Sequence, residues 1–113
     1  MHEMSVAQSI LKIVLAEAQK NGASKVKTVR IRAGELRGIV QEHLAFFFEF
    51  ITKNTIAEGL TLEVEYVPIK GVCKSCEHTF MVKDYEFICP ECESKDVDTI
   101  QGMELDVKEI EIE

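Results

Sequence analysis

The most specific chemistry in this sequence belongs to four cysteines. Cys73 and Cys76 lie in "CKSC", Cys89 and Cys92 in "CPEC", and the spacing is C-x2-C-x12-C-x2-C. A CxxC turn sets two thiolates on one cation, and the residues between the pairs return the chain as a hairpin. Four sulfurs at about 2.3 Å in a tetrahedron suit zinc, which brings no geometric preference of its own to oppose them. The spacing predicts a structural four-cysteine zinc site, and in small zinc modules such binding contributes about 10–16 kcal/mol. The stretch needs that help, because Val72, Phe80, Val82, Phe87 and Ile88 are its few core candidates. Similar knuckles hold iron in rubredoxin-like sites, and a lone CxxC serves as a redox dithiol, so those readings stand beside zinc. A zinc saturated by four thiolates has no open position for a substrate. With no activated nucleophile or acid–base pair evident either, the chain is expected not to be an enzyme.

Two histidines accompany these residues. His78 follows Cys76 by two positions and reads as a loop histidine or a donor to a sulfur. Exchange with a cysteine, or titration near neutral pH, are its other roles. His43 sits among the apolar residues of a helical stretch and reads as a packing or surface histidine.

The chain opens "MHEMSVAQSI", with His2 and Glu3 directly behind Met1. The α-amine of Met1, the backbone nitrogen of His2 and its imidazole can close adjacent chelate rings. With a fourth donor at Glu3 they approach the tetragonal N/O field preferred by Ni(II) or Cu(II). Such a site needs a deprotonated amide and a neutral imidazole, so occupancy falls on acidification, the second limit lying near a pKa of about 6.5. A second-position histidine idle in solvent is the plain alternative, and these three residues alone leave both readings open.

The elements that must position these groups follow from periodicity. Val6, Ala7, Ile10, Leu11, Val14, Leu15 and Ala18 fall on one face of a helix over residues 5–20. Ser5 with Gln8 fits a capping box, which places Met1–Met4 ahead of the first turn, and "KNG" supplies a glycine stop. "KVKTVRIRAG" reads as a strand with Val29, Ile31 and Ala33 alternating and Val26 out of phase, which predicts a bulge near Thr28. Val40, Leu44, Phe47, Phe48 and Ile51 mark a second helix over 40–53, its apolar face widened by Phe46 and Phe50. "LTLEVEYVP" is a strand with Leu60, Leu62, Val64 and Tyr66 on one face, and "MELDVKEIEIE" resumes alternation in the tail. The expected fold is therefore α+β: a small three-stranded sheet with two helices, plus an inserted zinc-ribbon-like module. The domain boundaries expected are 1–68 with 103–113 for the α+β domain and 69–102 for the module.

Charge narrows the partners. The chain carries 20 acidic and 13 basic residues, a net charge of −7, which disfavours a nucleic-acid backbone or an anionic membrane as partner. Between Pro68 and Gly102, lysines 70, 74, 83 and 95 face acids at 77, 84, 86, 91, 93, 96 and 98, a poor match to phosphate. The longest apolar run, His43–Ile51, is interrupted by Glu49 and too short for a bilayer, and no signal peptide is visible. A cytoplasmic location is expected, where cysteines are more often ligands than disulfides.

Taken in order, "MHEMSVAQSIL", "AGEL", the aromatic-rich second helix and "CKSCEHTF…CPEC…GMELDVKEIEIE" closely resemble the HypA/HybF family of hydrogenase-maturation nickel metallochaperones. The resemblance runs across essentially the whole chain. It implies nickel on Met1, His2 and Glu3, and structural zinc on Cys73, Cys76, Cys89 and Cys92. It further implies delivery of nickel to the precursor of the NiFe-hydrogenase large subunit together with the maturation GTPase HypB, and some relatives serve urease. The chain has no P-loop, so GTP hydrolysis would belong to the partner. A zinc-ribbon interaction module without nickel transfer is the rival class.

Overall fold

The computed structural model describes residues 3–113. The described elements are α1 (Glu3–Lys20), β1 (Val26–Gly34), a 3-10 turn (Glu35–Arg37), α2 (Gln41–Ile51), β2 (Thr61–Val67), β3 (Lys70–Cys73), β4 (Thr79–Met81), β5 (Val97–Gln101) and β6 (Leu105–Ile112). They form two three-stranded sheets, ordered β2-β1-β6 and β4-β3-β5. The α+β class with two helices and an inserted cysteine-bearing piece is as expected from the sequence. The chain divides into two compact units. One holds the chain through Arg32, Ile39–Glu65 and Leu105–Glu113, and the other holds Ala33–Gly38 and Tyr66–Glu104.

In the first unit α1 buries Val6, Ala7, Ile10, Leu11, Val14 and Ala18, the face its periodicity predicts. Its end is a Schellman motif. Gly22 takes φ +66°, Ala23 N–H donates to Ala18 O at 2.9 Å, and Gly22 N–H donates to Gln19 O at 3.1 Å. Its start differs from expectation. The helix is already under way at Glu3, so Ser5 lies inside the first turn, exposed, and caps nothing. The Ser-x-x-Gln spacing that suggests a cap also sets both side chains on the solvent face of a helix, and Glu3 near the N-terminus suits the helix dipole. Glu3 and Met4 are therefore helical rather than part of a free leader.

Strand β1 buries Val26, Val29 and Ile31 fully. Val26 and Val29 are three apart yet both inward, so the alternation changes phase between them, as the sequence suggests. Helix α2 buries Leu44 and Phe48 but leaves Phe46 and Phe50 about half exposed, packed edge-to-face on each other at 5.0 Å. The apolar face expected to include both is thus narrower. Gln41, with no cap side chain ahead of it at Val40, reaches the edge strand β2: its amide nitrogen donates to Leu62 O and its oxygen accepts from Val64 N–H. On the sheet's outer face Arg30 of the central strand binds Glu63 of β2 and Glu109 and Glu111 of β6. Hydrogen bonding to Glu111 is the main cause that raises its pKa, reinforced by the other carboxylates against a smaller desolvation effect.

The second unit has little apolar interior. Ile69 and Val82 are buried with the sulfurs of Cys73 and Cys89, whereas Val72, Phe80 and Phe87 are half-buried and Ile88 is exposed. Central strand β3 pairs antiparallel with β4 (Gly71 opposite Phe80) and with β5 (Gly71 opposite Thr99). A Cβ on Gly71 would stand 2.7 Å from a Val97 methyl, so any larger residue there would force Val97 to shift. The "GELRG" stretch clasps the two passages leading into and out of this unit. Gly34 N–H donates to Glu104 O, Leu36 N–H to Gly102 O, Arg37 Nε to Met103 O, and Ile69 N–H to the Glu35 carboxylate. Among the described residues no helix is long and apolar enough to cross a membrane.

Candidate metal centre

Each CxxC pair forms the same local structure. In the first, Cys73 N–H donates to His78 O at 2.9 Å and Glu77 N–H donates to Cys73 O at 2.8 Å. In the second, Cys89 N–H donates to Ser94 O at 2.9 Å and Glu93 N–H donates to Cys89 O at 2.8 Å. The residue after each pair turns left-handed, Glu77 at φ +65° and Glu93 at φ +63°. The two knuckles are therefore internal copies in backbone bonding, although their sequences share little beyond the cysteines and the glutamate. In both, the first cysteine is buried and the second exposed.

The copies converge. Cys73 Sγ lies 3.5 Å from Cys92 Sγ, Cys76 Sγ lies 3.6 Å from Cys89 Sγ, and all four sulfurs fall within 4.8 Å of one another. A tetrahedron with metal–sulfur bonds of about 2.3 Å has edges of about 3.8 Å, so the spacing fits a single cation. The Ser75 and Ser94 hydroxyls meet at 3.1 Å across the knuckles, a link with no signature in the residue pattern. No other group of three or more His, Cys, Asp or Glu side chains converges in this way among the described residues.

Main-chain N–H groups aimed at the Cys73, Cys76 and Cys92 sulfurs favour thiolate, and burial and the neighbouring sulfurs work against them at Cys76 and Cys92. The N–H of Cys76 is the main cause that lowers the Cys73 pKa to about 6, with Ser75 N–H and the Cys92 sulfur assisting against burial. Cys76 has the N–H of His78 acting to lower it, but burial and the sulfurs of Cys89, Cys92 and Cys73 prevail and push it up to about 12. Cys92 is likewise raised: the N–H of Ser94 lowers it, and the Cys73 sulfur with burial outweighs that. The Cys73, Cys76 and Cys92 thiols oppose one another's ionisation. A divalent cation removes that conflict.

His78 is near the sulfurs, but its ring is not among the converging ligands. The imidazole stacks on Phe80 at 6.0 Å, and its Nε2 stands 4.0 Å from Glu91. Its contribution to the site is through the main chain, as a donor to Cys76. Of the terminal residues, Met1 and His2 lie outside the described residues. Glu3 occupies the first turn of α1, and its Oε2 stands 3.9 Å from Nδ1 of His43 on α2. His43 is exposed, a surface histidine as expected, but one facing a carboxylate that sequence distance gave no way to find.

The description "Hydrogenase/urease nickel incorporation, metallochaperone, hypA" belongs to a family model that matches residues 1–112. The chain belongs to the HypA family. The hydrogenase maturation factor HypA of Dechloromonas aromatica is 41% identical over 113 residues, with both chains covered completely, and that of Geobacter metallireducens is 40% identical over the same full lengths. The fold matches the solution structure of the Ni metallochaperone HypA from Helicobacter pylori at a TM-score of 0.69 and 28% identity, covering 99% of this chain and 97% of that one. A second HypA solution structure matches at a TM-score of 0.73 and 27% identity, covering 99% and 96%. The HypA family is one of metallochaperones.

Proposed function

We propose that this protein carries nickel for hydrogenase maturation, binding Ni(II) at Met1, His2 and Glu3 and using Cys73, Cys76, Cys89 and Cys92 to hold a structural zinc. The full-length family match is the observation that carries this reading. The donor sets support the division of labour. Nitrogen and oxygen donors at the terminus suit Ni(II), and four convergent sulfurs suit a d10 cation such as zinc. Zinc, when bound, cross-links the two knuckles and leaves no position open for chemistry. Nickel is cargo, so its site must release as well as capture, which a terminal chelate does more readily than a cage of thiolates.

On this reading residues 1–68 with 103–113 form the nickel-binding domain and residues 69–102 the zinc module. The protein works in the cytoplasm with the GTPase HypB and hands nickel to the precursor of the NiFe-hydrogenase large subunit. Urease is a second recipient consistent with the family description. Metal analysis with nickel titration of untagged wild-type protein beside His2→Ala tests the assignment. One zinc in both proteins and one saturable nickel in wild type alone is the expected result. A zinc-ribbon interaction module without nickel transfer would show the zinc and no saturable nickel in either.

A further inference from the structure

We propose that the open edge of β6, with the groove between it and α1, is a docking surface for a short extended segment of another protein in which apolar and basic residues alternate. The proposal is independent of where nickel binds. Among the described residues β6 has a strand neighbour on one side only, because the sheet runs β2-β1-β6. Its other side presents main-chain N–H and C=O groups that a strand-like guest can pair. A groove of about 420 Å³ lies there, bounded by Ile13 and Glu17 of α1 and by β6 residues 107–110 and Ile112. Successive strand residues send their side chains to opposite faces. A groove touched by Val107, Lys108, Glu109 and Ile110 in turn therefore runs along the strand's edge and its main chain.

Apolar surface and charge together select the occupant. Ile13 is half exposed and Ile112 more than a third exposed, and both line the groove, where an apolar guest side chain would cover them. On the outer face of the sheet one guanidinium, Arg30, is shared by three carboxylates, Glu63, Glu109 and Glu111, so that cluster carries surplus negative charge. Arg32 with Asp106 and Lys108 with Glu65 are balanced pairs and do not offset it. Lysine or arginine at alternate positions of a guest would face that surplus. A second copy of β6 would instead bring Glu109 and Glu111 towards the same carboxylates, and like charges across paired strands are unfavourable. Lys108 and Glu109 are both exposed, so the alternation of β6 breaks between them. Such a break twists the edge and deters long flat pairing, which suits a short segment rather than a whole sheet.

Amide NMR of the untagged full-length protein, titrated with a capped short peptide of alternating valine and lysine, tests this. Saturable shifts confined to α1 near Ile13 and Glu17 and to residues 107–112 are expected, with hydrogen exchange slowed at the β6 amides that face the groove. A peptide alternating valine and glutamate should bind at least about tenfold more weakly. So should the lysine peptide with proline at its centre, which loses a main-chain donor. Ile13→Ser, at an exposed position, should leave the remaining spectrum unchanged and weaken the lysine peptide by about fivefold. The proposal is overturned by no saturable shift at millimolar peptide, by shifts spread over other acidic surfaces, or by equal binding of the glutamate or proline peptide. It is overturned too if Ile13→Ser binds as wild type does. Slowed exchange along β6 that grows with the concentration of the protein alone would make the occupant a second copy, and the proposal would fail.

Discussion

The helical unit buries Val14, Val26, Val29, Ile31 and Leu44 almost completely, whereas the cysteine unit adds little more than Ile69 and Val82 to the sulfurs of Cys73 and Cys89. The first has enough apolar contact to hold its shape by packing, since each fully buried aliphatic side chain contributes about 1.5–3 kcal/mol. The second spends its residues on turns. Its strands are short, its loops contain left-handed Glu77, Asp84, Tyr85 and Glu93, and its interior is largely thiol. A metal ion can supply there what a core supplies elsewhere, at the cost of making the structure depend on four protonation states.

On the zinc reading, removing the metal breaks that contrast most sharply. Chelation, or Cys73→Ser, is expected to abolish the ordered β4-β3-β5 sheet while leaving the helical signal of α1 and α2, read residue by residue in amide NMR spectra. Persistence of the β3–β5 pairing without metal would mean that the unit is held by packing after all. The same site sharpens the electrostatic side. Zinc binding must displace protons from Cys76 and Cys92, whose pKa values are raised, and fewer from Cys73, which is lowered to about 6. Because the bound form carries fewer protons, zinc affinity is expected to rise with pH and to fall on acidification, with proton release measurable from the buffer dependence of the binding heat.

In the helical unit the corresponding blow is a cavity. Leu44 is fully buried, and Leu44→Ala should destabilise that unit by about 2–5 kcal/mol in denaturant unfolding while the zinc content stays unchanged. Loss of zinc in this variant would show that the units do not stand on separate supports. The smallest expected change is at the sheet surface. Arg30→Gln removes an ion-pair network with Glu63, Glu109 and Glu111, and the thermal midpoint should drop slightly at low salt and not at all at high salt. A salt-independent drop would assign Arg30 a packing role instead.

Much of this was legible in the residues. The buried face of α1 follows from the spacing of Val6, Ala7, Ile10, Leu11, Val14 and Ala18, because helical geometry is local and nearly fixed. The convergence of Cys73, Cys76, Cys89 and Cys92 follows from two CxxC turns facing each other, and the family follows from the order of the motifs. The start of α1 was misplaced because Ser5 and Gln8 satisfy a capping pattern and a solvent-face pattern equally well. Burial of Phe46 and Phe50 was misjudged because hydrophobicity states a preference, while the width of the facing surface decides which rings are covered.

Other relations had no local signature at all. The clasp of Glu35, Leu36 and Arg37 on Ile69, Gly102 and Met103 joins residues more than thirty positions apart, and its donors are mostly main-chain groups that every residue type carries. The approach of His43 to Glu3 depends on how α1 and α2 pack, and single-residue types cannot encode that angle. The opening residues "MHE" and the two CxxC pairs are thus determined by sequence as chemistry, since donor type is a property of the side chain. Which further side chain stands within reach of Glu3 is a property of the packed helices, and only the tertiary structure decides it.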